Sequence, residues 1–211
     1  MPVAETADWA RDEGPSDTRK VTMTQQIDPT VYREVMGHYP TGVAVVTGFD
    51  TNAGTDEPIG MVVGTFSAVS MDPPLVSFMP QRSSGTYARL ATSSAYCINV
   101  IAADQLDLCR TLAGRTPDKF DRVAWQHSAF GAPQLDDAVA HVHCRPAEVI
   151  EAGDHYIVLC TVDAMEVTRP ASPLLFFQGG YGEFASTPPS ARVTDGDLHD
   201  HGWFYFSEFP M

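Results

Sequence analysis

The sequence predicts a mainly β fold with inserted helices. Two observations carry that reading. The chain holds about six or seven short runs rich in β-branched and aromatic residues, with no βαβ alternation, which favours a barrel over a doubly wound sheet. The segments 139–150 and 156–167 are long strand-like runs joined across Glu151-Ala152-Gly153-Asp154, a hairpin signature. A length of 211 residues with 44% apolar content suits one compact domain able to bury its core. The expected division is a polar tail over 1–27, a domain over 28–185 and an extension over 186–211 that ends in Trp203-Phe204-Tyr205-Phe206.

In chain order, Asp28-Pro29 opens a helix, with aspartate as cap and proline in the first turn, and Tyr32, Val35 and Met36 form its apolar stripe. Val43-Ala44-Val45-Val46-Thr47 is a buried strand. Gly60 to Pro74, read GMVVGTFSAVSMDPP, is β-rich; its second half alternates bulky with small residues, as a strand with one buried face does, and ends at Asp72-Pro73-Pro74. Gly64 reads either as a bulge in a core strand or as a point of close backbone approach. Leu75 to Met79 forms a further strand. Gln81-Arg82-Ser83-Ser84-Gly85-Thr86 then precedes a helix with Tyr87, Leu90 and Ala91 inward. One hydroxyl at a helix start caps it; three beside an arginine point also to phosphate. Tyr96 to Ile101 is a strand, and Ala102 to Gly114 a helix with Leu106, Cys109 and Leu112 in register. A last short strand is expected over 174–177.

Thirteen basic against 27 acidic residues give a net charge of −14, which argues against general nucleic-acid binding. No apolar run is long enough to cross a bilayer, and the first residues lack a signal-peptide core, so a cytoplasmic protein is expected. Cys97, Cys109, Cys144 and Cys160 show no CxxC spacing and read as small buried hydrophobes. His141 and His143 share a strand face and His199 and His201 lie close together, but no third ligand is placed, so no metal site is expected. Asp136-Asp137 reads as solvated loop charge. GxGxxG, P-loop, GxSxG and HExxH patterns are absent.

Gly60 to Pro74, Arg82-Ser83-Ser84-Gly85-Thr86, Asn99-Val100-Ile101-Ala102-Ala103-Asp104-Gln105, Asp118-Lys119-Phe120 and Gly153-Asp154-His155 together resemble the flavin reductase family, the small reductase components of two-component flavin-dependent monooxygenases. The resemblance runs from about Val31 to Phe184. It implies an FMN-binding split β-barrel, usually a homodimer with flavin near the subunit interface. The implied activity is hydride transfer from NADH or NADPH to FMN or FAD, with reduced flavin released to a partner monooxygenase. It also implies roles: Val62, Val63, Gly64 and Thr65 at the isoalloxazine edge; Ser83, Ser84 and Thr86 on the flavin phosphate with Arg82 nearby; and Asp154-His155 beside the nicotinamide. The family commonly reads GMTANSF where this chain has Gly60-Met61-Val62-Val63-Gly64-Thr65-Phe66, so two polar side chains give way to Val62 and Gly64. That departure keeps two alternatives open: a member of the fold repurposed for an apolar biosynthetic intermediate, and a non-catalytic flavin- or partner-binding protein whose aromatic end is the interaction element.

Overall fold

The computed structural model describes residues 27–52, 57–116 and 118–185. The expected terminal tail, His199, His201 and the aromatic end lie outside them. The elements in order are α1 (Pro29–Gly37), β1 (Thr41–Gly42), β2 (Ala44–Asp50), β3 (Glu57–Val63), β4 (Ser67–Met71), β5 (Pro74–Phe78), α2 (Gly85–Leu90), β6 (Tyr96–Val100), α3 (Leu106–Ala113), β7 (Trp125–His127), β8 (Pro133–Leu135), β9 (Ala140–Ala152), β10 (His155–Val167), β11 (Leu174–Phe177) and β12 (Gly180–Glu183).

Seven strands form one antiparallel sheet in the order β3-β2-β6-β9-β10-β5-β4. Its two edge strands, β3 and β4, are consecutive in the chain and separated only by Gly64, Thr65 and Phe66. Four backbone steps reach at most about 14 Å. The sheet therefore curls until its edges nearly meet, and it closes through the chain rather than through a ladder. This is the split barrel that the resemblance implies, and its seam falls at Gly64–Phe66.

Two apolar clusters lie on either side of the sheet. The inner one gathers Val46, Ile59, Val76, Phe78, Ile98, Cys144 and Val158, with Tyr87 and Leu90 of α2 closing one end. The outer one gathers Val43, Val45, Ile101, Cys109, Leu112, Leu135 and Leu174. Adjacent residues Val45 and Val46 thus serve opposite sides, as the strand period requires. All seven residues of β2 are buried. All four cysteines are free and buried, as their spacing suggested; burial pushes the Cys97 thiol up to about 12.

The outer face also holds a polar row. Asn99, fully buried, donates to Val45 O at 2.9 Å and to Thr47 Oγ1 at 3.1 Å, and accepts from Leu135 N at 2.9 Å. His141 Nε2 lies 2.9 Å from Leu135 O; a carbonyl only accepts, so that nitrogen carries the proton. These bonds fasten the 123–138 excursion over the sheet.

Four local expectations change. β4 is an exposed edge strand with no buried face, because it pairs only with β5. The stripe Tyr32, Val35 and Met36 of α1 is exposed, and that helix buries no residue. Ala91 is exposed because it is the C-cap of α2, beyond the last inward turn. The stretch from Ala102 is a short 3₁₀ turn, Ala103–Gln105, before α3 begins. His141 and His143 are buried on β9, and among the described residues no group of three or more His, Cys, Asp or Glu side chains could hold a metal. No described helix is long and apolar enough to cross a membrane.

Candidate functional site

The seam brings three separate segments into one strip. Met79 N–H donates to Thr65 Oγ1 at 2.9 Å, which ties the β3–β4 junction to the end of β5. Tyr156 N–H donates to Pro80 O at 2.9 Å, Gln81 bridges His155, and Arg82 N–H donates to Asp154 O at 2.9 Å. The tip of the β9–β10 hairpin is thereby laid against the segment leading into α2. Its turn is tight because Gly153 has φ +65°, open to glycine at little cost. Thr65, Arg82 and His155, far apart in sequence, come to lie along a single surface.

At the seam the side chains of Val62 and Val63 are not free. Val62 packs on the outer cluster, and Val63 is buried in the inner one. What this junction offers is backbone: no hydrogen bond is formed by the N–H of Gly64 or Thr65 among the described residues. The Thr65 hydroxyl is occupied by Met79, which gives it a structural place. Gly64 is exposed and is not a bulge inside a strand. Close approach occurs at Gly64, where a β-carbon would lie 2.7 Å from Thr41 Oγ1, and also at Gly60, where it would lie 3.0 Å from Phe120 Cζ. Phe120 is the aromatic of the Asp118-Lys119-Phe120 block, and Lys119 Nζ caps α3 by donating to Leu112 O at 2.9 Å.

Beyond the seam, Ser84 is the N-cap of α2: its hydroxyl accepts from Tyr87 N at 3.1 Å. Ser83 is exposed and Thr86 half-buried, and neither hydroxyl has a protein partner among the described residues. Because α2 has only six residues, its dipole is small, and any anion there would have to be held by the hydroxyls and Arg82. The Arg82 guanidinium is 3.2 Å from Glu151, donates to Gly153 O at 3.4 Å and lies 5.6 Å from the centre of the Tyr156 ring. An exposed pair of this kind is weak and yields readily to a phosphate. His155 is partly exposed, and its Nδ1 lies 2.8 Å from Asp154 Oδ1. The hydrogen bond from His155, and its charge, hold the Asp154 carboxyl below its ordinary range. A carboxylate only accepts, so Nδ1 carries a proton and Nε2 is left for a ligand.

The strip can hold a flavin. Unpaired N–H groups suit the carbonyls of the ring, and a cation with two free hydroxyls suits a phosphate. A cavity of about 390 Å³ lies elsewhere, lined by Gln126, Asp136, Asp137, His141, Thr168 and Arg169, and no candidate residue borders it. Sequence reasoning did not single out Thr41, Met79, Glu151 or Tyr156, which reach the strip through pairings remote in sequence.

A family model described as flavin reductase like domain matches residues 36–185. A flavin reductase of Pseudomonas putida is 42% identical over 160 residues, covering 76% of this chain and 92% of that protein. The reductase subunit of a flavin-dependent monooxygenase from Rhodococcus jostii is 36% identical over 74% of this chain and 78% of its own length. The solved structure of a Streptomyces globisporus NADH:FAD oxidoreductase in complex with NAD and FAD fragments matches with a TM-score of 0.70 and 33% identity, over 79% of this chain and 99% of that one. The split barrel, the strip at its seam and these matches lead to one assignment: the chain belongs to the flavin reductase family.

Proposed function

We propose that the protein is an NAD(P)H:flavin oxidoreductase that passes reduced FMN or FAD to a partner monooxygenase. The observation that carries this reading is the strip: backbone donors at Gly64 and Thr65, a cation with free hydroxyls at Arg82, Ser83 and Thr86, and an imidazole at His155 along one surface. Flavin, when bound, supplies the acceptor for the hydride of NAD(P)H. The chain's own part is positional, since hydride transfer depends on alignment more than on an acid or base. Gly64 and Thr65 orient the ring edge. Arg82, Ser83 and Thr86 hold the phosphate, with Ser84 fixing the turn that carries them. His155, set by Asp154, contacts the nicotinamide dinucleotide.

The packing of Val62 on the outer cluster and of Val63 in the inner one favours this reading over the repurposed-pocket alternative. The protein is a homodimer in this reading. Val31, Tyr32, Val35 and Met36 on α1, Val69 and Met71 on β4, and Val149 and Ile150 on β9 are all exposed large apolar side chains, more than a monomer ordinarily leaves in water. A second copy would cover them and enclose the strip.

The deciding experiment follows NADH and NADPH absorbance with FMN or FAD added, in the absence of oxygen. Stoichiometric oxidation with flavin bleaching is the expected result. A folded protein that consumes neither nucleotide with either flavin overturns the proposal.

A further inference from the structure

The space above Gly64 is already taken. A β-carbon built on Gly64 would lie 2.7 Å from Thr41 Oγ1 and 3.5 Å from Thr41 Cβ. Thr41 belongs to β1, where it pairs with Phe176, and the next strand start is fixed by Val43 N–H donating to Leu174 O at 3.0 Å. The backbone that presents this hydroxyl is therefore anchored. The hydroxyls of Thr47 and Thr65 are engaged with backbone groups. That of Thr41 has no protein partner among the described residues, and the residue is half-buried. It stands beside the two unpaired N–H groups of Gly64 and Thr65.

These three groups differ in kind. Backbone N–H groups only donate, whereas a hydroxyl also accepts. A ring edge that alternates carbonyl, N–H and carbonyl needs both, and donors alone would leave its N–H unpaired once a second copy encloses the strip, at appreciable cost. We propose that Thr41 is a ring-positioning residue whose hydroxyl accepts from the imide N–H of the bound isoalloxazine, in the space left by the missing side chain at Gly64. This rests on the flavin reading above. A side chain at residue 64 must first push the Thr41 hydroxyl aside.

The test uses riboflavin, which has no phosphate, and 3-methylriboflavin, whose imide N–H is blocked, each titrated against the full chain by flavin fluorescence. Thr41→Val keeps the shape and removes the hydroxyl. It should weaken riboflavin roughly three- to tenfold, the loss of one hydrogen bond, and leave 3-methylriboflavin unchanged. Thr41→Ser should bind as the parent does. Gly64→Ala, which displaces the hydroxyl from the other side, should weaken riboflavin similarly, and the double variant should lose no more than either single one, as two changes acting on one contact do. Melting temperatures check that each variant is folded. Riboflavin binding unaltered in folded Thr41→Val, or equal losses for both flavins, overturns the role while the reductase reading stands. A parent that binds no flavin and oxidises no NADH overturns both.

Discussion

Thr65 and Met79 are locked across the seam of the barrel: the Met79 N–H donates to Thr65 Oγ1 at 2.9 Å, and the same hydroxyl faces Met79 O at 3.4 Å. This side chain joins the edge of the sheet to the segment that carries Arg82. Thr65→Val should leave the Met79 N–H unpaired and cost about 1 kcal/mol of stability. It should weaken phosphate-bearing and phosphate-free flavins alike, because the strip loses its alignment. Thr65→Ser should restore both, as thermal unfolding and flavin titration would report. A Thr65→Val protein with parental stability would show that the bond is idle.

The phosphate assignment separates two kinds of hydroxyl. Ser83→Ala with Thr86→Ala should weaken FMN roughly tenfold or more by removing charge-assisted bonds, with riboflavin affinity and melting temperature unchanged. Ser84→Ala removes a cap instead, and should destabilise the protein by about 1 kcal/mol. Equal FMN binding by the folded double variant would count against the assignment.

His155→Ala should raise the Michaelis constant for NAD(P)H more than that for flavin, since the imidazole sits at the hairpin tip and not at the Gly64–Thr65 junction proposed for the ring edge. Asp154→Asn tests the pair: Nδ1 loses its carboxylate partner, and the same constant should rise less. Parallel changes for both substrates would place the histidine elsewhere.

Burial, together with the neighbouring His141, pushes the His143 pKa below 6.5, while Glu166 and Asp163 on β10 oppose the shift. The ring is stacked on Phe130 with 4.6 Å between centres. A histidine held neutral in the folded state binds fewer protons there than when unfolded, so its contribution is complete above about pH 6.5 and falls as pH drops below it. The carboxylates held low by arginines, Asp50, Asp104, Asp118 and Asp163, contribute fully above their unfolded value of 3.8 and lose stability only below it. Between about pH 6.5 and 5 the His143 effect therefore stands apart from theirs. The melting temperature should fall over that window, with a shallower slope in His143→Phe. Identical slopes would assign the effect to another group.

Sedimentation should give the mass of a dimer at micromolar protein. Replacing Met71 or Ile150 by glutamate should shift it toward the monomer, and reductase activity should fall with the dimer fraction. A parent that sediments as a monomer at all concentrations would leave the exposed apolar strands for some other cover.

Much of this architecture was legible because it is written in short-range patterns. The hairpin at Gly153-Asp154 follows from a positive-φ glycine, the α1 start from Asp28 as cap, and the α2 start from a capping hydroxyl, which the structure identifies as Ser84. The buried character of β2 follows from its β-branched run. What failed depends on who neighbours whom. The alternation over 66–71 reads as a half-buried strand, but β4 is an edge, and only the sheet order reveals that. Helix α1 has an apolar stripe with nothing among the described residues to bury it, so periodicity told the truth about chemistry and not about burial. Of the residues that the resemblance names, Thr65, Arg82, Asp154 and His155 lie on segments tied together by hydrogen bonds, whereas Val62 and Val63 pack into the apolar clusters. Thr41 escaped notice because its proximity to Gly64 is set by pairing with β11, more than a hundred residues along the chain.

With both faces covered and neighbours on both edges, β2 has no side open to solvent. Its amides can exchange with deuterium only when both compartments open together. They should be the last to exchange, on the timescale of global unfolding, whereas those of Gly64 and Thr65 at the seam should exchange within the dead time until a ligand covers them. The same molecule would thus carry its slowest and its fastest clocks about twenty residues apart on one chain.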